Sequence, residues 1–210
     1  MRISELADAA GVSVATLKYY QREGLLPPAR KVAARLAEYD DTHLRRLRLL
    51  RVLREVGEVP VERLRSLVEA VEDADASVHD VFGVACDALH GAPPEPGPDL
   101  RAMADALIEQ AGWDRVRPDS PDRDHLAALV GTILDLGGGQ DESAQEGAAT
   151  YLRLVDELAR FEIGAFAGPD EADRDVLVER MVVGQVVYGE LLLVLRRIAE
   201  EHYSAQRFTD

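Results

Sequence analysis

Gly11-Val12-Ser13-Val14-Ala15-Thr16-Leu17-Lys18-Tyr19-Tyr20-Gln21-Arg22-Glu23-Gly24-Leu25-Leu26-Pro27-Pro28 is the stretch on which the fold turns. It reads as a turn, a short helix and a firm stop. Upstream, Ile3, Leu6, Ala7 and Ala10 recur at i, i+3, i+4 and i+7, one apolar face of a two-turn helix. Gly11 is the expected C-terminal cap, because a residue without Cβ takes up left-handed backbone at little cost. Ser13 is placed to cap the second helix through its hydroxyl. Val14 and Leu17 are expected to pack inward. Gly24 closes the helix, and Pro27-Pro28 prevents its restarting. Two short helices joined by a tight turn predict a helix-turn-helix, whose second helix offers polar side chains to a DNA groove.

The candidate contacts in this segment are Ser13, Thr16, Lys18, Tyr19 and Tyr20. A Thr hydroxyl reaches a base edge or a phosphate, Lys neutralises phosphate charge, and a Tyr hydroxyl donates to phosphate oxygen. Further along, Asp40-Asp41-Thr42 supplies a cap for a helix over about 42–56. Leu44, Leu47, Leu50, Leu53 and Val56 turn inward there, while Arg45, Arg46, Arg48, Arg51 and Arg54 coat the outside. Pro60 starts another helix, with Leu64, Leu67, Val68 and Val71 at core spacing.

Met1 to about Glu72 resembles the DNA-binding domain of the MerR family of transcription regulators. The matching stretches are Met1-Arg2-Ile3-Ser4-Glu5-Leu6-Ala7, Gly11-Val12-Ser13-Val14, Thr16-Leu17-Lys18-Tyr19-Tyr20 and Arg22-Glu23-Gly24-Leu25-Leu26-Pro27-Pro28. Tyr39-Asp40, Leu44-Arg45-Arg46-Leu47 and Leu53-Arg54-Glu55-Val56-Gly57 follow in family order. The resemblance implies a four-helix winged domain, used as a homodimer on a palindromic operator in double-stranded DNA. It also implies that Arg54 meets the DNA backbone. A promoter distorted so that RNA polymerase reads it fits the family, and repression without an effector fits this sequence equally. Two departures stand out. The family usually has Arg where this chain has Lys18, and Lys lacks the planar fork that bonds in two places at once. Many members carry Gly-Tyr-Arg where this wing reads Arg35-Leu36-Ala37. Arg30, Lys31 and Arg35 can restore charge to the wing, or the wing packs on its own domain and touches DNA little.

Charge divides the chain. The net charge is −15 overall, but residues 1–72 hold 13 Lys and Arg against 11 Asp and Glu, while the remainder holds 11 against 28. The part expected to face the duplex is the relatively basic one. Abundant Ala and Val, with only two Lys, hint at a GC-rich bacterial genome. The single cysteine, Cys86, allows no intrachain disulfide. No signal pattern or bilayer-length apolar run is visible, so a cytoplasmic location away from the membrane is expected.

Residues 73–98 are read as a short helix, Val78 to Leu89, and a Pro-rich linker. Many family members place one long dimer helix here, so dimerisation must lean on something else. Residues 99–210 are read as one all-helical effector-binding and dimerisation domain, with helices near 99–112, 122–137, 142–165 and 170–204. The expected fold class is all-α apart from a small β wing. Met181 to Leu195 is apolar nearly all round, which predicts burial on most sides as core and dimer seam. The layout resembles regulators whose C-terminal part is likened to TetR-type ligand domains, in architecture only.

A small organic effector is the expected ligand. Trp113, Tyr151, Gln185 and Tyr188 are its candidate contacts. Gln185, Tyr188 and Glu190 lie in an apolar helix, where a ligand or a symmetry-related helix could satisfy them. Phe161 and Phe166 would line a pocket or simply fill a core. The alternatives are a protein-interaction module with weakened DNA binding, and a metal- or redox-responsive role through Cys86, with His79 and His90 on the same helix face. These three span about 16 Å along a helix axis, too far to share one ion. No cofactor motif and no catalytic arrangement is visible, so no enzyme is expected.

Overall fold

The computed structural model describes residues 1–33, 36–73, 75–89, 91, 94–138, 142–167 and 174–208. Arg35 and His90 lie outside them, as do Gly139, Gly168 and Pro169 at the expected helix breaks. The elements in order are α1 (Ile3–Ala10), α2 (Val14–Arg22), β1 (Arg30–Ala33), β2 (Leu36–Glu38), α3 (Asp41–Glu55) and α4 (Val61–Glu72). They continue with α5 (Val78–Leu89), α6 (Pro98–Gln110), α7 (Pro121–Asp135), α8 (Glu142–Ala167) and α9 (Arg174–Phe208). The all-α class with a small β wing is the observed architecture. Every helix expected from apolar spacing is present, and Val78–Leu89 has the expected ends.

The chain forms two compact units. The first joins residues 1–89 to residues 169–210, and the second is residues 90–168. The first unit is built around Leu17, Leu25, Leu47, Leu50, Leu53 and Leu64, all but withdrawn from water. α1 packs on α2 and α3, and α4 packs on α5. The wing is a two-stranded antiparallel hairpin, with Arg30 opposite Glu38 and Lys31 opposite Ala37. The Gly11 cap takes φ 68° and its amide donates to the Ala7 and Asp8 carbonyls, as a left-handed cap should.

The last helix departs from the sequence reading in two ways. Residues 99–210 do not form one helical body, because the first half of α9 packs against α3 and α5. Val178, Val182 and Val186 recur every four residues and bury one stripe of α9 in the core of the first unit. Gly57, just past α3, lets the helices close in. A methyl group there would stand 3.3 Å from Leu89 and 3.3 Å from Val186. Glu179 sits beside Arg45 and Arg48, which partly oppose the upward pull of burial on its carboxyl pKa. Within one chain, the burial expected of Met181–Leu195 reaches only Val186. From Val187 to Phe208 every residue of α9 is exposed, because α3 and α5 cover only its first turns.

The second unit pairs α6 with α7. Ala104, Ile108 and Ala127 form its small core, and Gly131 admits the Leu100 side chain. Arg123 ties the α6–α7 connection, donating to the Arg117 carbonyl at 2.8 Å, the Val116 carbonyl at 2.9 Å and the Asp105 carboxylate at 2.6 Å. Arg101 reaches the Asp124 carboxylate and the Pro118 carbonyl. Among the described residues, no helix is long and apolar enough to cross a membrane.

The valine stripe makes α9 part of the first unit's stability. Val182→Ala removes two buried methyl groups at a fully covered position and is expected to cost about 2 kcal/mol. Urea denaturation of the full chain, followed at the first unit, measures the loss.

Candidate nucleic-acid interface

α2 is held by its first turn. The Ser13 Oγ accepts the Thr16 amide at 2.9 Å, and the Ser13 and Thr16 hydroxyls pair at 2.8 Å. Capping thus occupies Ser13, and Thr16 has one local partner before any DNA arrives. Leu17 and Tyr20 point inward. Ala15, Lys18, Tyr19 and Arg22 recur at i, i+3, i+4 and i+7 and form the opposite stripe. Lys18 is exposed and Tyr19 half-buried on this outer face.

Two of the sequence-derived contacts change role. Tyr20 is 6% exposed and belongs to the core, three residues from Leu17 on the same inward face. Burial raises its hydroxyl pKa, with Arg54 pulling the other way. Its ring is therefore not offered to phosphate. Arg54 donates from Nη1 to the Val59 carbonyl at 2.7 Å, so its guanidinium holds the turn after α3. Its other nitrogens stay on an exposed residue. Arg22 was not among the sequence candidates. Its guanidinium lies 5.3 Å from the centre of the Tyr19 ring, with its side chain 69% exposed. The signal was its three-residue spacing from Tyr19 in the last turn of α2.

The wing shows one of its expected cations. Arg30 is exposed and pairs across the hairpin with Glu38 at 3.0 Å. The Lys31 side chain and all of Arg35 lie outside the described residues. At the base of the wing, Tyr39 is buried. Its hydroxyl accepts from Gln21 at 3.2 Å, its amide donates to the Met1 carbonyl at 2.9 Å, and its ring meets His43 edge-on at 5.2 Å. Tyr39 therefore fastens the wing to the recognition helix and to the chain start. Asp40 follows as the cap of α3 and accepts from the Thr42 and His43 amides at 3.1 and 3.3 Å. Hydrogen bonds from the Thr42 hydroxyl and the His43 ring hold its carboxyl well below the usual carboxylate range.

Arg65 of α4 reaches back 42 residues, to the carboxylate and the carbonyl of Glu23 at the end of α2. Arg51 of α3 donates to the Ala10 carbonyl at 3.4 Å and to Glu55 at 2.9 Å. These arginines fix the ends of α1 and α2, and so set the angle at which the outer face of α2 is presented.

The candidate effector residues divide between the units. Trp113 and Tyr151 belong to the second unit, Gln185 and Tyr188 to the first. Trp113 is half-buried, and its indole donates to Asp156 at 3.0 Å. The Arg160 and Trp113 bonds lower the Asp156 pKa. Tyr151 and Tyr188 are exposed, and Gln185 is half-buried. Neither unit alone brings the four together. Cys86 is half-buried on α5 and His79 is exposed, while His90 lies outside the described residues. No group of three or more metal-ligating side chains converges among the described residues.

Comparison with known proteins agrees with this geometry. Residues 1–71 match the MerR HTH family of regulatory proteins. Over 47 residues the chain is 40% identical to an HTH-type transcriptional regulator, the ZntR homolog of Haemophilus influenzae, a stretch covering 22% of this chain and 35% of that protein. Over 87 residues it is 32% identical to the HTH-type transcriptional regulator HmrR of Sinorhizobium medicae, covering 41% of this chain and 58% of that one. The chain thus spans about half the length of these curated relatives. A crystal structure of SCO5550 from Streptomyces coelicolor A3(2), assigned as a transcriptional regulator, aligns over 100% of this chain and 99% of that one. The identity is 36% and the TM-score 0.78.

The Asp40 cap carries a pH signature. Its folded-state pKa is depressed, so its stabilisation is complete above the ordinary carboxylate pKa of about 4 and is lost as pH falls through the lower folded value. Asp40→Ala is expected to cost roughly 1 kcal/mol at neutral pH. It should also flatten the fall in stability below about pH 4. Thermal unfolding of both proteins between neutral and acid pH checks this.

Proposed function

Because the chain belongs to the MerR family of DNA-binding transcriptional regulators, we propose that it acts as a homodimer on a palindromic operator and answers to a small organic effector. The observation that carries the DNA reading is the outer stripe of α2. Lys18, Tyr19 and Arg22 share one face of a helix whose opposite face is core and whose first turn is capped. Lys18 and Arg22 give that face two cations, and Tyr19 adds a hydroxyl with phosphate reach. Thr16, at the N-terminal end of the helix, is placed for a base edge. Arg54 and the wing residue Arg30 extend the charge to flanking phosphates.

The effector reading rests on the helical chain beyond the reader. The SCO5550 likeness runs through it, whereas the curated relatives match stretches of only 47 and 87 residues. Trp113 and Tyr151 are the candidate aromatic contacts within the second unit, and Gln185 and Tyr188 are separate candidates on α9 of the first. Occupancy there would bias the reader between two placements on a promoter that RNA polymerase then reads, by activation or by release from repression. Native mass spectrometry of protein freshly purified from its producing cells tests this. A dimer carrying the extra mass of an organic molecule is expected, and a metal-sized increment that is lost in Cys86→Ser would replace the effector reading with metal sensing.

For DNA, the test is binding to the sequence upstream of its own coding region against random duplex, at rising salt. Specific binding that weakens steeply with salt is expected. Lys18→Ala and Arg22→Ala should each lower affinity and reduce the salt slope by about one. Tyr20→Phe, a core change, should leave affinity for DNA unchanged. Equal affinity for both duplexes would sink the proposal.

A further inference from the structure

α9 gives one side to its own core and keeps the other. Val178, Val182 and Val186 are buried toward α3 and α5. On the opposite side lie Val187, Leu191, Val194 and Ile198, which are 39%, 44%, 40% and 58% exposed. At 3.6 residues per turn these four fall within about 60° of one another. Their spacing of four, three and four is that of a coiled-coil seam. Ten large apolar side chains stand exposed between Val187 and Phe208. Six of them, Val187, Tyr188, Leu191, Val194, Leu195 and Ile198, lie on the seam side, and with about half of each in water they amount to on the order of 500 Å² per chain, so that a pair reaches about the 1,000 Å² a specific interface needs.

We propose that this half of α9 pairs, antiparallel, with α9 of a second copy of the chain. The inference rests on the homodimer reading above and names its surface. α5 cannot supply it, since α5 has about three turns and spends Val81, Ala85 and Ala88 on its own core. A two-fold axis between residues 192 and 193 sets Val187 opposite Ile198 and Leu191 opposite Val194 of the second copy, each layer repeated by symmetry. On one flank Tyr188 then meets Leu195 of the second copy. On the other, Glu190 meets Arg197, giving two ion pairs across the axis. A parallel pair runs its flanking contacts from i to i+5, which sets Glu190 against Leu195 and Arg197 against His202, so the charges go unmatched. The antiparallel register also separates the two reader attachments. Val182 lies about 16 Å along the helix from the axis, which puts the two copies about 32 Å apart. One turn of duplex separates half-sites by about 34 Å.

Disulfide trapping decides the matter in a Cys86→Ser background. Val187→Cys and Ile198→Cys chains, each oxidised alone with diamide, should stay uncrosslinked, and the mixture should give a 187–198 linked dimer. A linked dimer from Val187→Cys alone means parallel pairing and overturns the proposal. No linked product from a mixture that light scattering shows to be dimeric overturns the surface while leaving the homodimer intact. A monomeric wild-type chain at micromolar concentration overturns the homodimer reading itself. Charge reversal adds a test that leaves the apolar layers untouched. Glu190→Arg should weaken dimerisation about tenfold, and adding Arg197→Glu should restore it. Failure of the double variant to recover, with helicity unchanged by circular dichroism, counts against the register.

Discussion

The packing of Val178, Val182 and Val186 on α3 and α5 is the contact on which the rest of this molecule depends. Three valines four residues apart are a narrow stripe, and each is almost wholly removed from water. They bring a segment from far down the chain onto the back of the helix that carries Arg51 and Arg54. Gly57 makes the approach possible by presenting no side chain where Leu89 and Val186 converge. Once α9 is seated by one stripe, its direction is set. Everything beyond Val186 then projects past the ends of the helices that cover its first turns, and that projection leaves an apolar surface in water.

At the other end of the first unit, polar contacts do the positioning. Ser13 caps α2, Tyr39 fastens the wing to Met1, Gln21 and His43, Asp40 caps α3, and Arg65 fixes the last turn of α2 through Glu23. None of these groups needs to touch a nucleic acid. They hold the outer face of α2 at a fixed angle, so that the proposed contacts Lys18, Tyr19 and Arg22 are arranged before binding. Such ordering reduces the entropic cost of recognition.

The helices and their ends were legible because they depend on near neighbours. Apolar spacing marked Val78–Leu89, Gly11 marked a turn, and Ser13 and Asp40 marked helix starts. What α9 packs against was not legible. A valine stripe with period four says that one side is buried, and it says the same whether the cover is α3, a neighbouring helix or a second chain. Tyr20 misled for a related reason. Its hydroxyl suggested phosphate, but its spacing from Leu17 fixed its direction, and direction outweighs chemistry in a two-turn helix. Arg54 and Arg65 find carbonyls and carboxylates that only the folded chain brings near. The Arg22–Tyr19 stack, by contrast, was readable from an i, i+3 spacing.

The order of the elements also governs how the protein comes into being. Residues 90–168 are inserted between the helices of the first unit. A ribosome therefore completes the inserted unit before the reader it interrupts. After α5 emerges, the faces of α3 and α5 that will receive the valine stripe stay uncovered until α9 follows about ninety residues later, roughly 5–20 seconds at ordinary rates of synthesis. During that interval the nascent chain carries a complete helix-turn-helix on an unfinished base. The reader acquires its full stability late in synthesis, when the helix that finishes its core is made.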